Sequence, residues 1–258
     1  MGLQRTHAVV IGRRPLGEAD RLATFYTREF GRLTGVAKGA RRPRSRFGSA
    51  LELFSQGELL FFETERSQLV RVDHFDLERP FVSVREQLDR LGQGAWVVEC
   101  LARLTAERDP HRALYGLLLR TLGALENLPR PERAALAFAL RAIDLLGHRL
   151  RLDRCVGCGA PADPSPRLDF AAGGLLCGTC ARAGTDSVAL SGGALAALRR
   201  LRTLSWEPLV GAPLSRTVEK EIISLLEGQM TRLMGYPLRT TRFLIQTRRT
   251  PVDPTAVR

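Results

Sequence analysis

Cys155, Cys158, Cys177 and Cys180 are the residues of this chain whose type and spacing most directly define a chemistry. They form two Cys-x-x-Cys pairs, in RCVGCGA and LLCGTCA, separated by the 18 residues 159 to 176. That interval lies within the span that marks a zinc site. Each pair offers two thiolates from one tight turn, and four thiolates close a tetrahedron around Zn²⁺ with no open position, the arrangement of a structural site. Two disulfides, or a thioredoxin-like redox pair, would use the same residues. A long basic chain without a recognisable leader argues against the oxidising compartment that disulfides need. A Cys₄ iron–sulfur cluster takes the same ligands and is the remaining competitor.

The second chemical feature is a run of cations. Residues 38 to 48, KGARRPRSRFG, carry Lys38, Arg41, Arg42, Arg44 and Arg46, five cations in nine residues without a carboxylate. Their Gly/Pro/Ser background cannot sustain regular structure, so an exposed, mobile loop is expected. Charge runs are commonly just solvated faces. Here the whole chain is basic, with Lys+Arg 39 against Asp+Glu 27 and a net charge of +12, which makes a polyanion the first partner to consider and phosphate contact the reading of the loop. Lys38 and Lys220 are the only lysines. A GC-rich genome would favour arginine in this way, but it does not account for the net charge. Phe47, directly after the run, is expected to be buried.

Other chemistry is thinly represented. There is no Gly-x-x-x-x-Gly-Lys-Ser/Thr, Gly-x-Gly-x-x-Gly after a strand, His-Glu-x-x-His or Gly-x-Ser-x-Gly, the motifs that would cradle phosphates, hold a catalytic metal or present a nucleophile. His7, His74, His111 and His148 are scattered. Glu18 and Asp20 form the tightest acidic group and read as turn residues. Cys100 sits among apolar neighbours at helical spacing in AWVVECLARL and reads as a buried small hydrophobe. These features point to a binding protein, not an enzyme.

The elements that must position these residues follow from periodicity. HAVVIGR (7 to 13), RLATFYT (21 to 27), RLTGVAK (32 to 38), ELLFFET (58 to 64) and LVRVDHF (69 to 75) are rich in β-branched and aromatic residues and read as strands, with a tight hairpin at Gly31-Arg32. Eight of the eleven phenylalanines lie before residue 82. Five short strands without intervening helices predict a small barrel, a class that includes the oligonucleotide-binding OB-fold. After Pro80 the period changes. Leu88 to Leu104, Leu114 to Leu125, and Leu136 to Leu146 behind Pro131 predict three antiparallel helices. Ser191 and Ser215 read as N-caps of a shorter and a longer helix. The cysteine segment therefore interrupts a helical region. The 44% hydrophobic content suffices for ordinary cores, and no apolar run of about 18 residues provides a membrane span.

This order of parts resembles the RecO family of bacterial recombination mediators. The stretch GEADRLATFYTREFGRLTGVAKGARRPRSRF (Gly17 to Phe47) resembles the family's most recognisable segment. The Cys₄ set is similar to that of its zinc-binding members, and MGYPLRTTRFL (Met234 to Leu244) is similar to its C-terminal segment. The Arg-rich loop departs from the mixed Lys/Arg of the family. The resemblance implies an OB-fold that binds single- and double-stranded DNA and anneals complementary strands. It further implies action with a single-strand-binding protein, through that protein's C-terminal tail, and with a RecR-type clamp so that a recombinase can load.

The expected architecture is α+β. An OB-fold barrel over 1–79 precedes a helical domain over 80–150 and 186–245, a Cys₄ zinc module over 151–185 is inserted in the latter, and a flexible basic tail covers 246–258. Structural Zn²⁺ on Cys155, Cys158, Cys177 and Cys180, DNA contact by Lys38, Arg41, Arg42, Arg44 and Arg46, and a cytoplasmic, nucleoid-associated location complete the expectation. A zinc-stabilised adaptor between proteins, and a zinc-ribbon nuclease or hydrolase, are the alternatives. The second is disfavoured by the lack of clustered acids and of an open metal position.

Overall fold

The computed structural model describes residues 2–63, 67–161, 166–181, 187–241 and 244. The expected basic tail over 246–258 lies outside them. The described chain forms two compact units. One runs through Pro131 and is rejoined by the segment from Pro237, and the other is Glu132–Tyr236.

The first unit begins with β1 (Leu3–Leu16), β2 (Asp20–Thr27), β3 (Gly31–Ala37), β4 (Gln56–Phe62) and β5 (Val70–Arg79). They close into a barrel of order β1-β2-β3-β5-β4, antiparallel throughout except for the β3–β5 pair. Alternation decides which side chains enter it. Ala8, Val10, Ala23, Phe25, Leu33, Leu59, Phe61, Val70 and Val72 fill the interior, while the residues between them face out. Phe25 and Phe75 meet with ring centroids 5.6 Å apart. The α+β class and the five-strand barrel expected from the pattern are what the chain forms.

The hairpin after β2 differs in detail from the expectation at Gly31-Arg32. Thr27 pairs with Gly31, so the loop is Arg28–Phe30. Gly31 takes φ +64 as the first residue of β3, where a Cβ would lie 2.3 Å from the carbonyl oxygen of Asp109. Glycine is required there by backbone conformation and by close approach together.

The same unit continues with α1 (Val82–Glu86), α2 (Leu88–Leu104) and α3 (Arg112–Asn127). Cys100 on α2 is fully buried, as expected. The segment from Pro237 returns to α2. The Glu99 carboxylate accepts the backbone N–H groups of Arg239 (3.2 Å) and Thr240 (3.0 Å), and Trp96 Nε1 donates to Thr241 Oγ1 at 3.2 Å.

The second unit contains α4 (Pro131–Leu145), four short strands, α5 (Gly192–Thr203), α6 (Trp206–Gly211) and α7 (Arg216–Met234). Ser191 Oγ accepts from Ala194 N and Ser215 Oγ from Val218 N, the two N-caps read from sequence. Glu219 on α7 is buried and meets Arg133 on α4 through two bonds of 3.2 Å. The strands β6 (Arg151–Cys155), β7 (Arg167–Asp169), β8 (Gly174–Leu176) and β9 (Ser187–Ala189) form a sheet of order β6-β8-β7-β9. This sheet, unforeseen in the sequence, carries the cysteines.

Candidate metal centre and nucleic-acid interface

β6 and β8 run parallel as neighbours, with Cys155 paired to Leu175. Cys155 ends β6 and Cys177 follows directly on β8, so both Cys-x-x-Cys turns leave the same end of adjacent strands. In the first turn Gly159 N donates to Cys155 O at 2.9 Å and Cys155 N to Ala160 O at 2.8 Å. Gly159 sits at φ +76, a left-handed position that glycine occupies without cost. In the second, Cys180 N and Ala181 N both donate to Cys177 O, at 3.0 and 2.9 Å. The turn that joins β7 to β8 is held by the buried Asp169, whose carboxylate accepts from Ala171 N and Ala172 N.

The four Sγ atoms lie within 4.8 Å of one another, and all four thiols are free of disulfides. Cys158 Sγ and Cys177 Sγ are 3.7 Å apart. A tetrahedron built on a Zn–S bond of about 2.3 Å has an edge of about 3.8 Å, so the spacing suits one small ion at the centre. The local electrostatics are uneven. The backbone N–H of Cys177, then that of Cys158, pull the Cys155 thiol down to about 6. The sulfurs of Cys177, Cys158 and Cys155 push the Cys180 thiol up to about 12. Four thiolates this close need a cation among them, and the donor set could hold a metal ion.

The cationic segment lies in the other unit, between β3 and β4. Lys38, Arg41, Arg42, Arg44 and Arg46 are all exposed, as expected. The segment is nevertheless a chain of hydrogen-bonded turns: Arg42 N donates to Gly39 O, Ser45 N to Arg42 O, Gly48 N to Ser45 O and Ala50 N to Phe47 O. Ala40, Phe47, Ala50 and Leu51 turn inward and join the barrel core. Phe47 is 3% exposed, the burial expected of it. Where composition predicted a free loop, the small and aromatic residues between the cations act as pins. Arg41 Nη1 donates to Gly17 O at 2.8 Å, and Gly39 N donates to the Asp20 carboxylate at 2.8 Å, tying the segment to the β1–β2 turn.

Counterions separate the five cations into two groups. Arg46 stands 3.9 Å from Asp73 and lies over the Phe47 ring at 5.1 Å. Lys38, Arg41, Arg42 and Arg44 have no carboxylate partner among the described residues, whereas the neighbouring Arg13 and Arg21 share Glu52, at 2.7 and 3.3 Å. Sequence reasoning passed over one further cation, Arg71 on β5, whose guanidinium lies 4.4 Å from the centre of the Phe62 ring. The signal was present in Phe61-Phe62, since consecutive residues of a strand face opposite ways and one of the two had to point outward.

These parts define a small-barrel protein with an inserted Cys₄ module. The family models described as "Recombination protein O N terminal" and "Recombination protein O C terminal" match residues 1–81 and 85–242, and the chain belongs to the RecO family. A DNA repair protein RecO of Anaeromyxobacter dehalogenans (strain 2CP-C) is 35% identical over 92% of this chain and 93% of its own length. One of Syntrophus aciditrophicus (strain SB) is 31% identical over 95% and 96%. One of Myxococcus xanthus (strain DK1622) is 36% identical over 78% and 82%.

Proposed function

We propose that this protein is a recombination mediator, not an enzyme. It binds single- and double-stranded DNA through Lys38, Arg41, Arg42, Arg44 and Arg46, anneals complementary strands, and helps a recombinase to load onto DNA coated by single-strand-binding protein. The observation that carries this reading is the fixed, cation-studded segment at the barrel, four of whose five charges have no carboxylate partner among the described residues, in a member of a recombination-protein family. A RecR-type clamp and the C-terminal tail of the single-strand-binding protein are its protein partners, and it works in the cytoplasm at the nucleoid. One structural Zn²⁺ sits on Cys155, Cys158, Cys177 and Cys180 and fixes the β6–β9 sheet, because metal binding to such a site is folding free energy.

The experiment is an annealing assay with labelled complementary oligonucleotides, without nucleotide triphosphate or Mg²⁺. Duplex is expected. Fragments would identify a nuclease, and no change would leave an adaptor. Arg42→Glu with Arg44→Glu should slow annealing and weaken binding to unrelated sequences alike, since phosphate contacts carry no base identity. Its log–log salt slope on single strands should flatten by about 1.4, or roughly 0.7 per lost contact. Arg41 is left intact in this test because it braces the β1–β2 turn.

A further inference from the structure

The outer face of the barrel is not equally available along its length. On β2 and β3 the outward pairs are Leu22–Val36, Thr24–Thr34 and Tyr26–Arg32. The last of these is covered by the segment between α2 and α3. Arg32 meets Glu107 at 3.5 Å, Arg32 Nη2 donates to Thr105 O at 3.3 Å, and Arg108 N donates to Arg32 O at 3.1 Å. The Asp109 backbone lies against Gly31. This end of the face is closed and bears acidic residues.

At the opposite end Leu22 on β2 is buried, and the face opens from Val36 across β5 and β4. Val36 pairs across β5 with Arg71, and Arg71 pairs across β4 with Phe62, giving one outward row over three strands. Arg71 is exposed, has no carboxylate partner among the described residues, and lies 4.4 Å over the half-buried Phe62 ring. The cationic segment adjoins this row at both of its ends. Lys38 follows two residues after Val36, and Arg46 reaches to 3.9 Å from Asp73, two residues after Arg71.

We propose that the Phe62–Arg71 pair is a base-stacking platform for single-stranded DNA. Resting on the DNA-binding reading above, it gives the strand a path from Lys38–Arg46 across Val36 and Arg71. The Phe62 ring backs the guanidinium, and an unpaired base stacks on its solvent side. Arginine planes and aromatic rings bind bases in this way irrespective of sequence, and only when the base is free of its duplex partner. The platform therefore separates the two forms of DNA, whereas the phosphate contacts of the segment serve both.

The test compares the full-length protein with Arg71→Lys, which keeps the charge and removes the plane, and with Phe62→Leu, which keeps apolar bulk and removes the ring. Probes are an oligothymidylate, an abasic strand of equal length and a duplex. Arg71→Lys should lose about five-fold or more on oligothymidylate, with an unaltered salt slope and unaltered duplex binding. The preference of the wild type for oligothymidylate over the abasic strand should collapse in both variants, a ratio that a general loss of fold would not change. Wild-type affinity of Arg71→Lys for all three probes, or an equal loss on single strand and duplex, overturns the platform. If Arg42→Glu with Arg44→Glu weakens all probes while Arg71→Lys matches wild type, the platform alone falls. If the wild type binds none of the probes, the DNA-binding reading falls with it.

Discussion

Cys155 gathers backbone donors while Cys180 is crowded by sulfur, so the four thiols are unequal by position although identical in type. A central cation would remove that inequality by holding all four as thiolates. Metal analysis should therefore find about one zinc per chain, and Cys158→Ser should lower both zinc content and melting temperature. Unchanged melting would dismiss the structural role. Tyr26 and Tyr115 give a separate residue-scale prediction. Burial first, then the charge of Asp109 for Tyr26 and of Glu78 for Tyr115, raises both phenols well above the ordinary 10.0. Folding thus favours the protonated form. This contribution to stability is intact below the unfolded value and declines as pH rises above about 10. The Tyr26 hydroxyl is buried without a hydrogen-bond partner among the described residues, so Tyr26→Phe should melt at or above the wild-type temperature at neutral pH and show a shallower loss at alkaline pH.

In two elements one side chain carries a large share of the anchoring. Phe47 pins the β3–β4 segment into the barrel, and Phe47→Ala should cost about 3–5 kcal/mol in denaturant unfolding. Loss of DNA binding in that variant would follow from misplacement of the cations around it. On α7, Glu219→Ala strands the Arg133 guanidinium in a buried site and should cost about 3–5 kcal/mol, the penalty of an uncompensated charge. The barrel was legible because β3 and β4 alternate strictly between buried and less buried positions. The α5 and α7 starts were legible because serine caps are local chemistry. The β7–β9 strands were not, being three residues each, too short to show a period. Nor does an apolar stripe name the surface that it packs against. It predicted α2, α3 and α4 as a set, yet α2 and α3 belong to the barrel's unit and α4 to the other. The gathering of the four cysteines was readable from spacing alone, whereas the pinning of the cationic segment depends on contacts made far along the chain.

At the scale of the whole molecule, the net charge of +12 sets a general attraction for polyanions, and the unneutralised cations at the barrel localise it. The return of the chain from Pro237 has a temporal consequence. Synthesis runs from the first residue to the last, and the barrel's unit is completed only when Arg239, Thr240 and Thr241 reach Glu99 and Trp96 on α2. All four cysteines have by then been made. The four cysteines can gather while the unit begun first still waits for its closing segment, so a chain released at Tyr236 would keep its Cys₄ cluster and lack the contacts that latch α2.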